Sequence, residues 1–168
     1  MSRQEGIASV VTNADMVDGY HGIDLNPSYE TLCKVWLPVA NQAIPSGVRT
    51  RVMMSFREID IGEDYDQVLC EYITPSPGFY LARMKLQMIN LNAGNFLECY
   101  IEISGFSRAR GLHYCPANGF EMDVQCTLLQ QCALGEPITF HVAHNFGANR
   151  DVQWGVEYTS AIIRKLRD

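Results

Sequence analysis

From residue 48 onward the hydrophobic positions recur with period two, the signature of strands that bury one face. Val48, Thr50, Val52, Met54 and Phe56 alternate with Arg49, Arg51, Met53, Ser55 and Arg57, and the second set is assigned to solvent or a partner. After Pro75, Pro77 and Gly78, a second run sets Tyr80, Ala82, Met84, Leu86 and Met88 against Phe79, Leu81, Arg83, Lys85 and Gln87. Asn92-Ala93-Gly94-Asn95 turns the chain into a third, with Leu97, Cys99, Ile101 and Ile103 opposite Phe96, Glu98, Tyr100 and Glu102.

The second half repeats this pattern. Phe120, Met122, Val124, Cys126 and Leu128 share one face, and Glu121, Asp123, Gln125 and Thr127 the other. Leu134-Gly135-Glu136-Pro137 reads as a turn, followed by Ile138, Phe140, Val142, His144 and Phe146 alternating with Thr139, His141, Ala143 and Asn145. After Gly147-Ala148-Asn149, a last strand is expected to carry Val152, Trp154, Val156, Tyr158, Ser160 and Ile162 on one side. Many strands between Gly and Pro turns, with no long helical pattern, predict an all-β antiparallel sandwich or barrel.

The first 37 residues differ. Asn26-Pro27 has the form of an N-cap followed by proline in the first helical turn, and Tyr29, Leu32, Cys33 and Trp36 fall on one side at helical spacing. A short amphipathic helix is expected there. It packs either on the chain's own sandwich or on another subunit.

The length of 168 residues suits one domain with a short arm, and a unit of this size buries roughly 70% of its unfolded surface, enough to fold without metal or disulfides. A composition that is 47% hydrophobic and 19% charged excludes disorder, and the shortage of charge implies that some surface faces a partner. The net charge of −6 argues against general nucleic-acid binding. Arg108, Arg110 and His113 form the one basic cluster, read as a solvated loop. No apolar run reaches the length of a membrane span and no signal-peptide core is visible, so cytoplasmic synthesis is expected. The six cysteines, at 33, 70, 99, 115, 126 and 132, lack the Cys-x-x-Cys spacing of structural zinc and are expected to be buried, reduced thiols.

Catalytic and metal motifs find little support. The chain has no phosphate loop and no Gly-x-Ser-x-Gly elbow. His141 and His144, three apart on a strand, point to opposite faces, so they do not share a metal, and His144 reads as a core histidine. Counted from Asp60, the acidic stretch over residues 58–71 resembles a calcium loop in placing Glu71 twelfth, but Gly62 stands at the third position and Tyr65 at the turn position. A solvated acidic loop is the simpler reading. No catalytic residue, cofactor or metal ligand is therefore assigned.

At the strand boundaries, Ala43-Ile44-Pro45-Ser46-Gly47, Pro77-Gly78-Phe79-Tyr80-Leu81-Ala82 and Leu134-Gly135-Glu136-Pro137-Ile138 resemble the tumour-necrosis-factor-like jelly roll of complement globular heads and phage surface proteins. The resemblance spans about residues 38 to 168 and is joined by the apolar strand Tyr158 to Leu166. Ala14-Asp15-Met16-Val17-Asp18-Gly19-Tyr20-His21 is in turn similar to a segment common in phage tail-fibre and virion proteins. The jelly-roll resemblance implies a homotrimer of two-sheet sandwiches, with Phe79, Leu81, Tyr100, Leu129 and Ile163 as candidate interface residues. It also implies an arm over residues 1–37 that docks through Tyr29, Leu32 and Trp36. The expected function is that of a non-enzymatic capsid cement or decoration protein on the virion surface, its partners being itself and the major capsid protein or other virion subunits. No nucleic acid, membrane or cofactor is expected to take part. The alternative is a fibre-tip module that recognises a host glycan or protein, and a hydrolytic or metal-dependent enzyme is a third, weaker reading.

Overall fold

The computed structural model describes residues 29–166, and every strand pairing in it is antiparallel. The first sheet is built from β1 (Tyr29–Trp36), β2 (Gln42–Ile44), β4 (Phe56–Ile61), β7 (Gly78–Leu91), β10 (Phe120–Cys132), β12 (Arg150–Val152) and β13 (Ser160–Leu166). Its long central strand β7 pairs with β10 along one edge, and on the other edge with β13 and then β12. Beyond β13 lie β1 and β4. The second sheet holds β3 (Thr50–Arg51), β5 (Tyr65–Asp66), β6 (Glu71–Ile73), β8 (Phe96–Ile103), β9 (Phe106–Tyr114) and β11 (Pro137–His144), in the order β5-β6-β11-β8-β9, with β3 also beside β11.

The period-two pattern assigns the core correctly over most of its length. Tyr80 to Met88 on β7, Val124 to Leu128 on β10, and Leu97 to Ile103 on β8 alternate inward and meet Ile138, Phe140 and Val142 from β11. Burying this many apolar side chains between two sheets is the dominant stabilising term. Polar ties cross the same space: the Thr31 and Tyr72 hydroxyls lie 2.7 Å apart, and the Tyr65 hydroxyl donates to the Met54 carbonyl at 2.9 Å. His144 is fully buried, with Nε2 2.9 Å from the Ile44 carbonyl, and the Phe146 N–H donates to its Nδ1. That pair of bonds fixes the neutral tautomer with the proton on Nε2. All six cysteines are free and buried, and burial raises Cys33 and brings Cys132 up to about 11, so both remain thiols at neutral pH.

Four local expectations are corrected. Residues 29–36 form a strand, not a helix, because β1 lies between β13 and β4 and has apolar residues on both faces: Cys33 and Val35 point inward, Leu32 and Trp36 outward. Superposing two apolar faces mimics helical spacing. The jelly roll therefore begins within the segment assigned to the arm, and Ala14 to His21 lies outside the described residues.

The expected strand from 48 to 56 is divided, since β3 pairs with β11 in one sheet and β4 with β1 in the other. Val52 and Met54 are buried in the crossing between them, whereas Val48 and Phe56 are exposed. The expected last strand is likewise two strands, β12 and β13, separated by a loop over 153–159 that includes Gly155 at φ 108°. That interruption reverses the parity, so Ala161 and Ile163 are inward and Ile162 outward. The basic cluster of Arg108, Arg110 and His113 belongs to strand β9 and is not a loop.

Gly111 marks the closest approach of the sheets at one corner. A Cβ there would lie 2.2 Å from the Gln125 carbonyl oxygen on β10 and 3.0 Å from Cys99 Sγ, so only glycine lets β9 reach β10.

Candidate self-association face

The outward side of the first sheet can be read from its register. Leu129 on β10 pairs with Leu81 on β7, Leu81 with Arg164 on β13, and Arg164 with Leu32 on β1. The next row runs Thr127, Arg83, Ile162, Lys34 and Ile59, and a third runs Gln125, Lys85, Ser160, Trp36 and Phe56. Phe79 is 48% exposed, Leu129 58% and Ile162 38%, while Leu81 is half-buried between them. These side chains form an apolar patch at one end of β7 and β10. Its middle is cationic, with Arg83 donating to Gln125 Oε1 at 2.7 Å and Lys85 to the Glu157 carbonyl at 2.7 Å. Its far end carries exposed Glu121 and Asp123, the latter opposite Gln87.

The strand β10 adds a second feature. Among the described residues it pairs only with β7, and β9 of the second sheet comes up against it at Gly111, where a Cβ would lie 2.2 Å from the Gln125 carbonyl oxygen.

Of the sequence-derived interface candidates, Phe79, Leu81 and Leu129 fall together on this face. Two do not belong to it. Ile163 is buried in the core, because the break at Gly155 shifts the parity of the last strand, and Ile162 takes its place on the face. Tyr100 is buried on the outer side of the second sheet. Leu32 and Trp36 lie on the outward side of β1, in rows shared with Leu81 and Lys85, so they are part of a sheet and not of a separate docking arm. Nothing is described of the Tyr29 side chain beyond its position in β1.

The outer side of the second sheet holds a polar cluster that alternation alone did not foresee. Glu98 and Glu102, although on the face expected to be solvated, are buried. Glu98 accepts hydrogen bonds from the Tyr100 hydroxyl and Arg110, and Arg49 donates to Glu102 at 2.8 Å while its guanidinium sits 3.9 Å above the Tyr100 ring. His141 Nε2 is 3.4 Å from Glu102 and 3.0 Å from Thr139 Oγ1. Burial lowers the His141 pKa, the nearby Glu102 carboxylate opposes it, and Arg51 and Arg49 add to the lowering. In acyl-transfer triads the carboxylate and the nucleophile engage opposite ring nitrogens. Here both partners face the same nitrogen, so the cluster lacks that relay geometry.

The acidic loop is organised from within. Asp60 accepts from Arg57 at 2.9 Å, from the Tyr65 N–H at 3.2 Å and from the Asp64 N–H at 3.3 Å. Burial, followed by the charge of Asp60, raises the Asp64 pKa, and the Tyr72 hydroxyl partly offsets this. Among the described residues no group of three or more His, Cys, Asp or Glu is arranged to hold a metal ion.

No protein-family model matches the sequence, and no curated protein sequence matches it. The fold, however, has clear counterparts. Murine APRIL aligns with a TM-score of 0.60 at 15% identity, covering 81% of this chain and 98% of that one. The globular domain of zebrafish complement 1qA gives 0.60 at 9% identity over 83% and 98%, and Eiger TNF from S. frugiperda gives 0.59 at 9% over 82% and 92%. The chain is thus an all-β jelly roll of the tumour-necrosis-factor and complement-globular-head type. The β10-β7-β13-β1 face described above is one broad side of that jelly roll.

Proposed function

We propose that this chain is a non-enzymatic structural protein that forms a homotrimer through the outer face of its first sheet and, as a virion cement protein, attaches to capsid subunits through the segment before β1. The observation that carries self-association is the patch of Phe79, Leu81, Leu129 and Ile162 on the outward side of β7, β10 and β13. A ring with threefold symmetry uses heterologous contacts, in which one surface meets a different one on the next copy. The face suits this, because Arg83 and Lys85 stand along the strands from Glu121 and Asp123. The virion setting is supported by the Ala14 to His21 segment and its similarity to phage virion proteins. A fibre tip is the second reading, favoured by the likeness to complement 1qA, since the aligned structure there is a globular domain.

Light scattering on the full chain measures the assembly directly. A trimer mass is expected, and a monomer at micromolar concentration refutes the proposal. Attachment is measured separately by deleting residues 1–28, which leaves β1 intact. The shortened protein is expected to remain a trimer and to lose capsid binding. Undiminished decoration of particles would refute the role given to the segment. If instead the isolated trimer binds host cells and antibody against it blocks adsorption, the fibre-tip reading holds.

A further inference from the structure

Between the end of β1 and the loop over 153–159 lies a cavity of about 490 Å³ lined by Trp36, Gln153, Trp154, Val156, Glu157 and Tyr158. This volume falls within the range of small-molecule sites, which are mostly apolar with a few fixed polar groups. The loop that forms it is held by backbone bonds on three sides. Gly155 N–H donates to the Leu37 carbonyl at 2.9 Å, Gln153 N–H to Gln87 at 2.9 Å, and Trp154 N–H to Asn41 Oδ1 at 3.1 Å. Tyr158 and Thr159 N–H groups both bond the Gly155 carbonyl, closing the turn. On the opposite wall the Trp36 ring is packed 4.5 Å from that of Phe56. The Trp36 surface is thus set before any ligand arrives, which lowers the ordering cost of binding.

The polar groups narrow the ligand class. Gln153 Oε1 is buried with no hydrogen-bond partner, a state that costs about 1–3 kcal/mol. Turning that amide toward a bound donor breaks no existing bond. Glu157 adds a second acceptor at the rim, and no lining side chain is cationic. A ligand fitting this site offers an apolar face to the indoles and several O–H donors to the acceptors, without negative charge. Trp154 and Val156, both exposed, are then covered in the bound state.

We propose that this pocket binds a neutral saccharide unit, its C–H face stacked on Trp154 and Trp36 and its hydroxyls donating to Gln153 and Glu157. A quaternary ammonium also suits aromatic walls with a nearby carboxylate. It has no N–H or O–H for Gln153 and leaves that acceptor unsatisfied. The site adjoins one side of the self-association face: Trp36 pairs with Ser160, two residues along β13 from Ile162, whereas Phe79 lies six residues along β7 from Lys85, roughly 20 Å away at the strand rise.

The chain contains two tryptophans and both line this cavity, so selectively excited tryptophan emission reports on it. The full chain is titrated with chitotriose, maltotriose, mannotriose and lactose, and with tetramethylammonium as the cationic counterpart. A saturable emission change is expected for at least one neutral sugar. By calorimetry, Gln153→Leu is expected to weaken that sugar about tenfold, equivalent to about 1.4 kcal/mol, and Trp154→Ala to abolish measurable binding. Leu129→Asp, four residues along β10 from the row of Trp36 and three strands across, is expected to leave sugar affinity unchanged. Silence from all four sugars up to about 10 mM, beyond the weak end of ordinary affinities, overturns the proposal. So does saturable binding of tetramethylammonium alone, or sugar binding that survives Gln153→Leu undiminished.

Discussion

Leu129→Asp probes the proposed assembly with little risk to the fold. The side chain is 58% exposed in the single chain, and fully burying a leucine is worth about 1.5–3 kcal/mol, so covering the remainder contributes about 1–2 kcal/mol per copy. Summed over a threefold ring this gives about 3–5 kcal/mol. Leu81, its register partner, sits directly beside it and would lose its apolar neighbour as well. An aspartate in its place adds the desolvation of a charge, an effective penalty of several kcal/mol per ion when it is left unpaired. The hydrophobic part alone, about 4 kcal/mol over the ring, lowers the trimer association constant by about three orders of magnitude, and the three buried charges lower it further. The monomer itself should be affected by no more than about 0.5 kcal/mol, as usual for an exposed position. Sedimentation equilibrium across a concentration series reads the first quantity, and urea unfolding of the monomer the second. Leu134→Asp is the control, because Leu134 is 67% exposed but lies in the turn before β11, away from this face. A Leu129→Asp protein that remains trimeric with an unshifted midpoint refutes the argument, as does a trimer broken by Leu134→Asp.

Gly111→Ala should destabilise the fold by about 1–3 kcal/mol, the usual cost of overpacking, because its Cβ meets backbone at 2.2 Å rather than a flexible side chain. Denaturant unfolding that stays within about 0.5 kcal/mol of the parent, as at an ordinary surface site, would mean that β9 can move off β10 freely. The pH dependence should show the buried histidines. Burial is the first cause lowering both His144 and His141, so the unfolded chain takes up protons first. Their contribution to stability is present above the ordinary histidine pKa of about 6.5 and is lost as pH falls below it. Asp64, raised by burial and by Asp60, pulls in the opposite direction at lower pH. The informative quantity is therefore the slope of melting temperature between pH 7 and 5.5, which should be flatter in His144→Gln than in the parent. Equal slopes in the two proteins would contradict the burial argument for His144.

The strands with one solvated face were legible because period two has a single interpretation when the two sides differ in polarity. Tyr80 to Met88 and Met122 to Leu128 are of this kind, and their inward sets are the observed core. Legibility failed where both sides are apolar or where a strand changes sheets. In β1, Leu32 and Trp36 outside and Cys33 and Val35 inside combine into a false helical stripe, and only the neighbours β13 and β4 resolve it. Residues 52–55 keep their inward alternation through the crossover, so a continuous pattern concealed the end of one strand and the start of another. Gly155 was a visible sign that the last run breaks, and reading it would have moved the interface candidate from Ile163 to Ile162. Alternation alone gave no sign that Glu98 and Glu102 are buried, since their burial depends on Arg110 of the neighbouring β9 and on Arg49, brought in from just ahead of β3.

The position of β1 also determines how the domain bears load. Any tether that pulls on the chain ahead of Tyr29 draws β1 along its own axis. The hydrogen bonds to β13 and β4 lie across that axis, as they do in antiparallel pairs. They are therefore loaded in shear and share the tension, whereas a strand peeled from a sheet edge breaks its bonds in succession. The Thr31 to Tyr72 contact carries part of the force across the core to the second sheet. A jelly roll held in this way resists detachment of its own first strand, so under strain a weaker joint outside the domain yields first.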